Sequence, residues 1–151
     1  MKNQFAIFLF SILFILISCE KEEGENEYAV SKNFSDESHN TGQNCMECHF
    51  VGGSGEGWYT VAGSVYDKQD KPLGNGVVEL TTEPQSGGSI VATIEVDAKG
   101  NFYTTESIAF GNGLYATVET QQGNKKYMLT KVTSGACNSC HGSSTDKIWS
   151  D

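Results

Sequence analysis

The sequence predicts an all-β protein, a small antiparallel sandwich or barrel with a cysteine-bearing segment on either side of it. Three observations predict this. Residues 57–133 run in short stretches rich in Val, Ile, Thr, Tyr and Phe, separated by clusters of Gly, Asn and Asp, which is the spacing of strands and turns. No helical periodicity of useful length occurs past residue 19. The chain has 151 residues, the size of one domain and enough to bury a core without disulfides. The organisation that follows is a leader over 1–18, an acidic tether over 19–38, a first cysteine segment with a Gly-rich linker over 39–56, the β region over 57–133, and a second cysteine segment with the tail over 134–151.

The leader begins with Lys2 and continues as an apolar run from Phe5 to Ile17 broken only by Ser11. A basic start and a run too short to span a bilayer comfortably form the pattern of an export signal, with a short uncleaved anchor as the alternative. Its end, Leu16-Ile17-Ser18-Cys19, resembles the bacterial lipobox. That resemblance implies a lipidated Cys19 as the first residue of the mature chain, and a membrane anchor made of lipid. The run Glu20 to Glu27 is too charged and too poor in apolar residues to pack, so it reads as a solvated tether. It also resembles the Lys-plus-acids signal of Bacteroidetes lipoproteins that are displayed on the outer face of the outer membrane. Both faces of that membrane, surface and periplasmic, remain open at this point.

Within the β region the strands are expected at Trp58–Tyr66, Val77–Thr82, Ser89–Val96, Asn101–Thr105, Leu114–Thr120 and Lys126–Val132. Asp67 to Pro72 ends the first, and the Gly-containing loop 121–125 joins the last two as a hairpin. The stretches Val61-Ala62-Gly63-Ser64-Val65-Tyr66-Asp67, Pro72 to Leu80 and Asp97 to Phe102 resemble the carboxypeptidase regulatory-like domain. The resemblance implies an Ig-like or transthyretin-like sandwich with no catalytic residues of its own, a type of domain that often serves as an adhesive or accessory module.

With Cys19 assigned to lipid, four cysteines remain, and all four fall in one repeated pattern: Cys45-Met46-Glu47-Cys48-His49 and Cys137-Asn138-Ser139-Cys140-His141. CxxCH is the attachment motif of c-type haem. Thiols three positions apart each form a thioether to one porphyrin, and the adjacent imidazole becomes the proximal iron ligand. Cys45, Cys48, Cys137 and Cys140 are therefore the expected cofactor-binding residues for two covalently bound haem c groups, with His49 and His141 on the iron. Three other uses of CxxC compete. Four-cysteine zinc ribbons separate their pairs by about 15 to 20 residues, far less than the gap from Cys48 to Cys137, and leave the histidines unexplained. A disulfide within each pair suits an oxidising compartment, and a redox dithiol shares the spacing but wants a βαβ setting that is not found. Both segments resemble the haem-binding segments of multihaem c-type cytochromes. Together the resemblances imply a dihaem cytochrome lipoprotein with an Ig-like sandwich between its two haem segments.

Only His39, six residues before Cys45, is left to supply a distal imidazole, and it is expected to ligate one of the two irons. A solvated histidine is the alternative. The other iron is left with Met128, a lysine, a ligand from another chain, or an open position. Met128 lies on an expected strand, on the same face as Lys126, Thr130 and Val132, so packing is its expected role and ligation the alternative. If the first and last expected strands are antiparallel, both haems share one end of the sandwich; if parallel, they lie about 25 to 30 Å apart. The Gly52–Gly57 stretch reads as flexible coil that lets the first haem swing.

Nineteen acids against ten bases, no arginine and a net charge of −9 argue against nucleic acid. No nucleophile has a base beside it and no histidine is spare for acid–base work, so no enzyme is expected. The function these residues point to is electron transfer at the outer membrane or cell surface. Its expected partners are other redox proteins such as cytochromes, or copies of the chain itself. The alternative is a non-haem β-sandwich binding lipoprotein whose cysteines hold zinc or pair as disulfides. A haem enzyme or gas sensor at an open iron is a minor third reading.

Overall fold

In the computed structural model, which describes residues 25–151, the alternating runs become eight strands in two sheets, with no α-helix among the described residues. The leader, Cys19 and the start of the tether lie outside the described residues. The strands are β1 (Val61–Tyr66), β2 (Val77–Glu83), β3 (Gly87–Glu95), β4 (Asn101–Thr104), β5 (Tyr115–Glu119), β6 (Lys125–Tyr127), β7 (Gly135–Ala136) and β8 (Ile148–Trp149). One sheet has the order β3-β2-β5-β6, antiparallel throughout. In the other, β1 pairs antiparallel with β4 and parallel with β7 and β8. The fold is thus all-β with two sheets, but the two short parallel strands depart from the antiparallel arrangement expected. No helix of the described residues is long and apolar enough to cross a membrane.

A single apolar core joins the sheets, built from Val61 and Val65 of β1, Val78 and Leu80 of β2, Phe102 of β4 and Val118 of β5. Period-two alternation explains why: in β2 the buried Val78 and Leu80 alternate with Val77 and Glu79. Strand β1 is different, since all six of its residues are buried. One face, with Val61 and Val65, packs into the core. The other carries Ser64, which is covered by the segments that hold the two CxxCH motifs. Small residues permit this double burial. A Cβ on Gly63 would stand 2.5 Å from the Phe102 ring and 2.9 Å from the Cys137 Cβ, so nothing larger than glycine fits there.

Three local expectations are corrected. The first strand starts at Val61, because the Tyr59 N–H turns away to the His49 carbonyl at 3.0 Å. The last expected strand closes after Tyr127; one further bond, from the Met128 N–H to the Ala116 carbonyl, follows, and pairing then lapses until Leu114 and Val132 bridge, with Leu129 thrown outward between. Residues 26–38, assigned to the tether by composition, are not free: Val30 bridges Thr104, and Ser31 and Ser38 are buried. Here short polar side chains supply what apolar ones do not. Ser31 Oγ accepts from the Tyr103 N–H at 2.9 Å, and Asn26 Oδ1 accepts from the Trp58 N–H at 2.6 Å.

Candidate functional site

The two CxxCH motifs fold alike. Cys45–Glu47 and Cys137–Ser139 each form a single 3₁₀ turn. In the first turn the carbonyl of Cys45 accepts from the N–H of Cys48 (3.1 Å) and of His49 (3.0 Å). In the second, the carbonyl of Cys137 accepts from Cys140 (3.2 Å) and His141 (2.9 Å). A 3₁₀ turn eclipses positions i and i+3, so the two thiols of each motif share one side of the turn. All four thiols are free, with Cys48 and Cys140 exposed and Cys45 and Cys137 half-buried.

Each following histidine is oriented by a backbone carbonyl. His49 Nδ1 lies 2.7 Å from the Glu56 carbonyl, and His141 Nδ1 lies 2.7 Å from the Asp146 carbonyl. A carbonyl only accepts, so Nδ1 carries the proton and Nε2 keeps its lone pair. That is the tautomer of a metal-ligating histidine with its second ring nitrogen fixed. The carbonyl for His49 comes from the Gly-rich stretch, which is therefore tied down and does not act as a free hinge. Gly55 N–H donates to the Cys48 carbonyl at 3.0 Å, and a Cβ on Gly55 would stand 2.7 Å from His49 Nδ1. Composition suggested coil; the glycines serve instead to let the loop lie flat against the imidazole.

On its other side the buried His49 ring stacks on Tyr59, with centroids 4.0 Å apart and planes within 7°, and Tyr59 stacks in turn on Tyr103 at 4.8 Å. Burial raises the hydroxyl pKa of both tyrosines, so they stay neutral. His39 comes to His49: their ring centroids are 5.8 Å apart, tilted by 35°. Two imidazoles on opposite sides of one metal ion, each nitrogen about 2 Å from it, have ring centres about 6 Å apart. The one histidine outside the motifs is thus brought beside the first motif.

Beside the second motif lies a cavity of about 650 Å³ with Cys137, Cys140 and His141 in its wall and Val61, Leu80 and Phe102 among its apolar lining. Its charge is unusual for so acidic a chain. Lys126, Lys131 and Lys147 line it, against Asp146 as the one acid. Its lining thus combines apolar side chains, two thiols, an imidazole and three cations.

The two motifs also meet each other. β7 runs parallel to β1, pairing Val61 with Gly135 and Ala62 with Ala136, and so delivers Cys137 to the strand that follows the first motif. Asn138, between the two cysteines of the second motif, is the connector. Its Nδ2 donates to the carbonyl of Gln43 at 2.9 Å and to Ser64 Oγ at 3.1 Å, and its Oδ1 accepts from the Ser64 N–H at 3.1 Å. Ser64 Oγ also accepts from the N–H of Gly42 at 2.9 Å. β1 and β6 belong to different sheets, so no shared ladder relates the first and last expected strands. Both CxxCH segments lie on β1.

The thiols bear on the competing uses of CxxC. Burial raises the Cys45 thiol pKa and pushes that of Cys137 up to about 12, the opposite of the lowered value a redox dithiol needs. Among the described residues no group of three His, Cys, Asp or Glu side chains is placed to hold one metal ion. Sequence reasoning found the cysteines and histidines. It missed Tyr59, Ser64 and the role of Asn138, for which the only signal was a buried-looking small-residue strand. Compared with family models, with curated proteins and with solved structures, the chain matches none.

Proposed function

We propose that this protein is a lipid-anchored dihaem c-type cytochrome that passes electrons at the outer membrane or cell surface, with the two-sheet domain as an Ig-like frame between its haem segments. The observation that carries the reading is the repeated turn: two CxxCH segments with the same backbone closure, each with its histidine Nδ1 held by a carbonyl so that Nε2 is free for iron. Cys45 and Cys48, and Cys137 and Cys140, would hold the two groups through thioethers, each formed by adding a thiol S–H across a vinyl double bond. His49 and His141 would each supply an imidazole to one iron, and His39 would serve the iron at the first motif. The haem groups, when bound, supply two one-electron couples. The Gln43–Asn138 contact brings both motif-bearing segments together on β1, which supports exchange within one molecule. Cys19 supplies the lipid anchor, and electrons are exchanged with other redox proteins.

The test is a reductive titration of protein coexpressed with c-type maturation machinery. The reading predicts a red protein that takes up two electrons per chain and returns them to an oxidant. A colourless protein that takes up none, with its cysteines on zinc or in disulfides, would leave a binding lipoprotein instead.

A further inference from the structure

We propose that Met128 is the sixth ligand at the His141 haem, so that one chain carries a bis-histidine centre and a histidine–methionine centre of unequal potential. This rests on the dihaem reading. The chain has three histidines, and His39, the only one outside the motifs, stands 5.8 Å from His49. The His141 centre therefore has no imidazole left to draw on from its own chain.

The cavity that holds the second motif offers a short choice of other donors. Met128 lines it together with Cys137, Cys140 and His141. The backbone places it there: its N–H donates to the Ala116 carbonyl at 2.9 Å, which continues the β5–β6 pairing and turns Met128 to the same side as Lys126. Tyr127 also borders the cavity but is 41% exposed, and its phenol would have to lose a proton to bind iron. The lysines are engaged as cations. Lys126 Nζ sits 4.0 Å from the centre of the Trp149 ring, and Lys147 Nζ 4.5 Å from that of Tyr66 and 3.4 Å from Asp70 Oδ1. Lys131 Nζ lies 5.6 Å from the Tyr115 ring. Each would have to lose its proton and its partner to bind iron. Asp146 offers a hard carboxylate, whereas the thioether of Met128 is uncharged and soft, and needs no deprotonation.

Methionine in place of a second histidine raises the potential of a haem. With both groups bound, the centre held by His141 and Met128 would be the higher in potential of the two. The sequence, by contrast, favoured packing over ligation for Met128.

The experiment compares the haem-loaded wild type with Met128→Leu, a volume-conserving change that keeps the apolar contacts. Haem is counted by mass, and the oxidised spectrum and both potentials are recorded. The expected result is a far-red sulfur-to-iron charge-transfer band in the wild type that is lost in the variant. One of the two potentials falls, the other stays, and the haem count remains two. Two attached haems with no such band, or with a band and potentials that the substitution leaves unchanged, would overturn the proposal. Failure to attach haem overturns the dihaem reading itself, and the mass reports that separately.

Discussion

Asn138→Ala tests whether the second motif is docked on the first by one side chain. Asn138 is buried and exchanges three hydrogen bonds, to the Gln43 carbonyl, to Ser64 Oγ and from the Ser64 N–H. Each such bond is worth about 1 kcal/mol net. Alanine also strands the N–H of Ser64, a residue only 1% exposed, for which the penalty exceeds the mean. The expected loss is about 3 kcal/mol, a large part of the roughly 5–15 kcal/mol that holds a domain together. The assay is urea unfolding of the haem-free chain, with Ser139→Ala as the internal control. Ser139 occupies the neighbouring position between the same cysteines but is exposed, so its loss is expected within about 0.5 kcal/mol. Equal effects of the two substitutions, or a cost for Asn138→Ala under about 1 kcal/mol, would refute the docking argument.

Three further outcomes follow from the same geometry. Gly55→Ala puts a methyl 2.7 Å from His49 Nδ1, so the ring must shift; haem stays attached through Cys45 and Cys48, while the loaded protein's spectrum shows weakened axial ligation at one iron. Phe102→Ala opens the centre of the core and costs about 3–5 kcal/mol in urea unfolding. In the haem-free chain iodoacetamide modifies exposed Cys48 and Cys140 first and Cys137 last, read by peptide mass. Because the Cys137 thiol rises in the fold from an ordinary 9.0 to about 12, its share of stability is complete below pH 9. That share is lost as pH rises from there toward 12, where a thermal melt series detects it.

The strands were legible because alternation is a local signal. Val78 and Leu80 alternate with polar or half-exposed neighbours, and the six expected strands correspond to β1–β6, with ends shifted where hydrogen bonds leave the ladder. β7 and β8 were not legible. Two residues carry no period, and Gly135-Ala136 is a strand only because β1 offers it an edge. The site divides in the same way. CxxCH is a covalent pattern readable in one dimension, so Cys45, Cys48, Cys137, Cys140 and both adjoining histidines were found directly. The contacts that organise them span long separations: Asn138 meets Gln43, and Gly55 seats the His49 ring against Tyr59. Such contacts depend on which small polar residue the fold brings within 3 Å of another, and no periodicity or spacing encodes that. The tether shows the opposite error. Residues 19–38 read as a solvated tether, but Asn26 and Ser31 bind backbone groups of the frame, and hydrogen bonding of that kind leaves no hydrophobic trace.

The most direct test of the account is the intact mass of the chain made with c-type maturation machinery, alongside Cys45→Ala/Cys48→Ala and Cys137→Ala/Cys140→Ala double variants. The account predicts two covalent haem groups on the wild type and one on each variant. A wild-type mass with no haem, or a variant that keeps two, would contradict it.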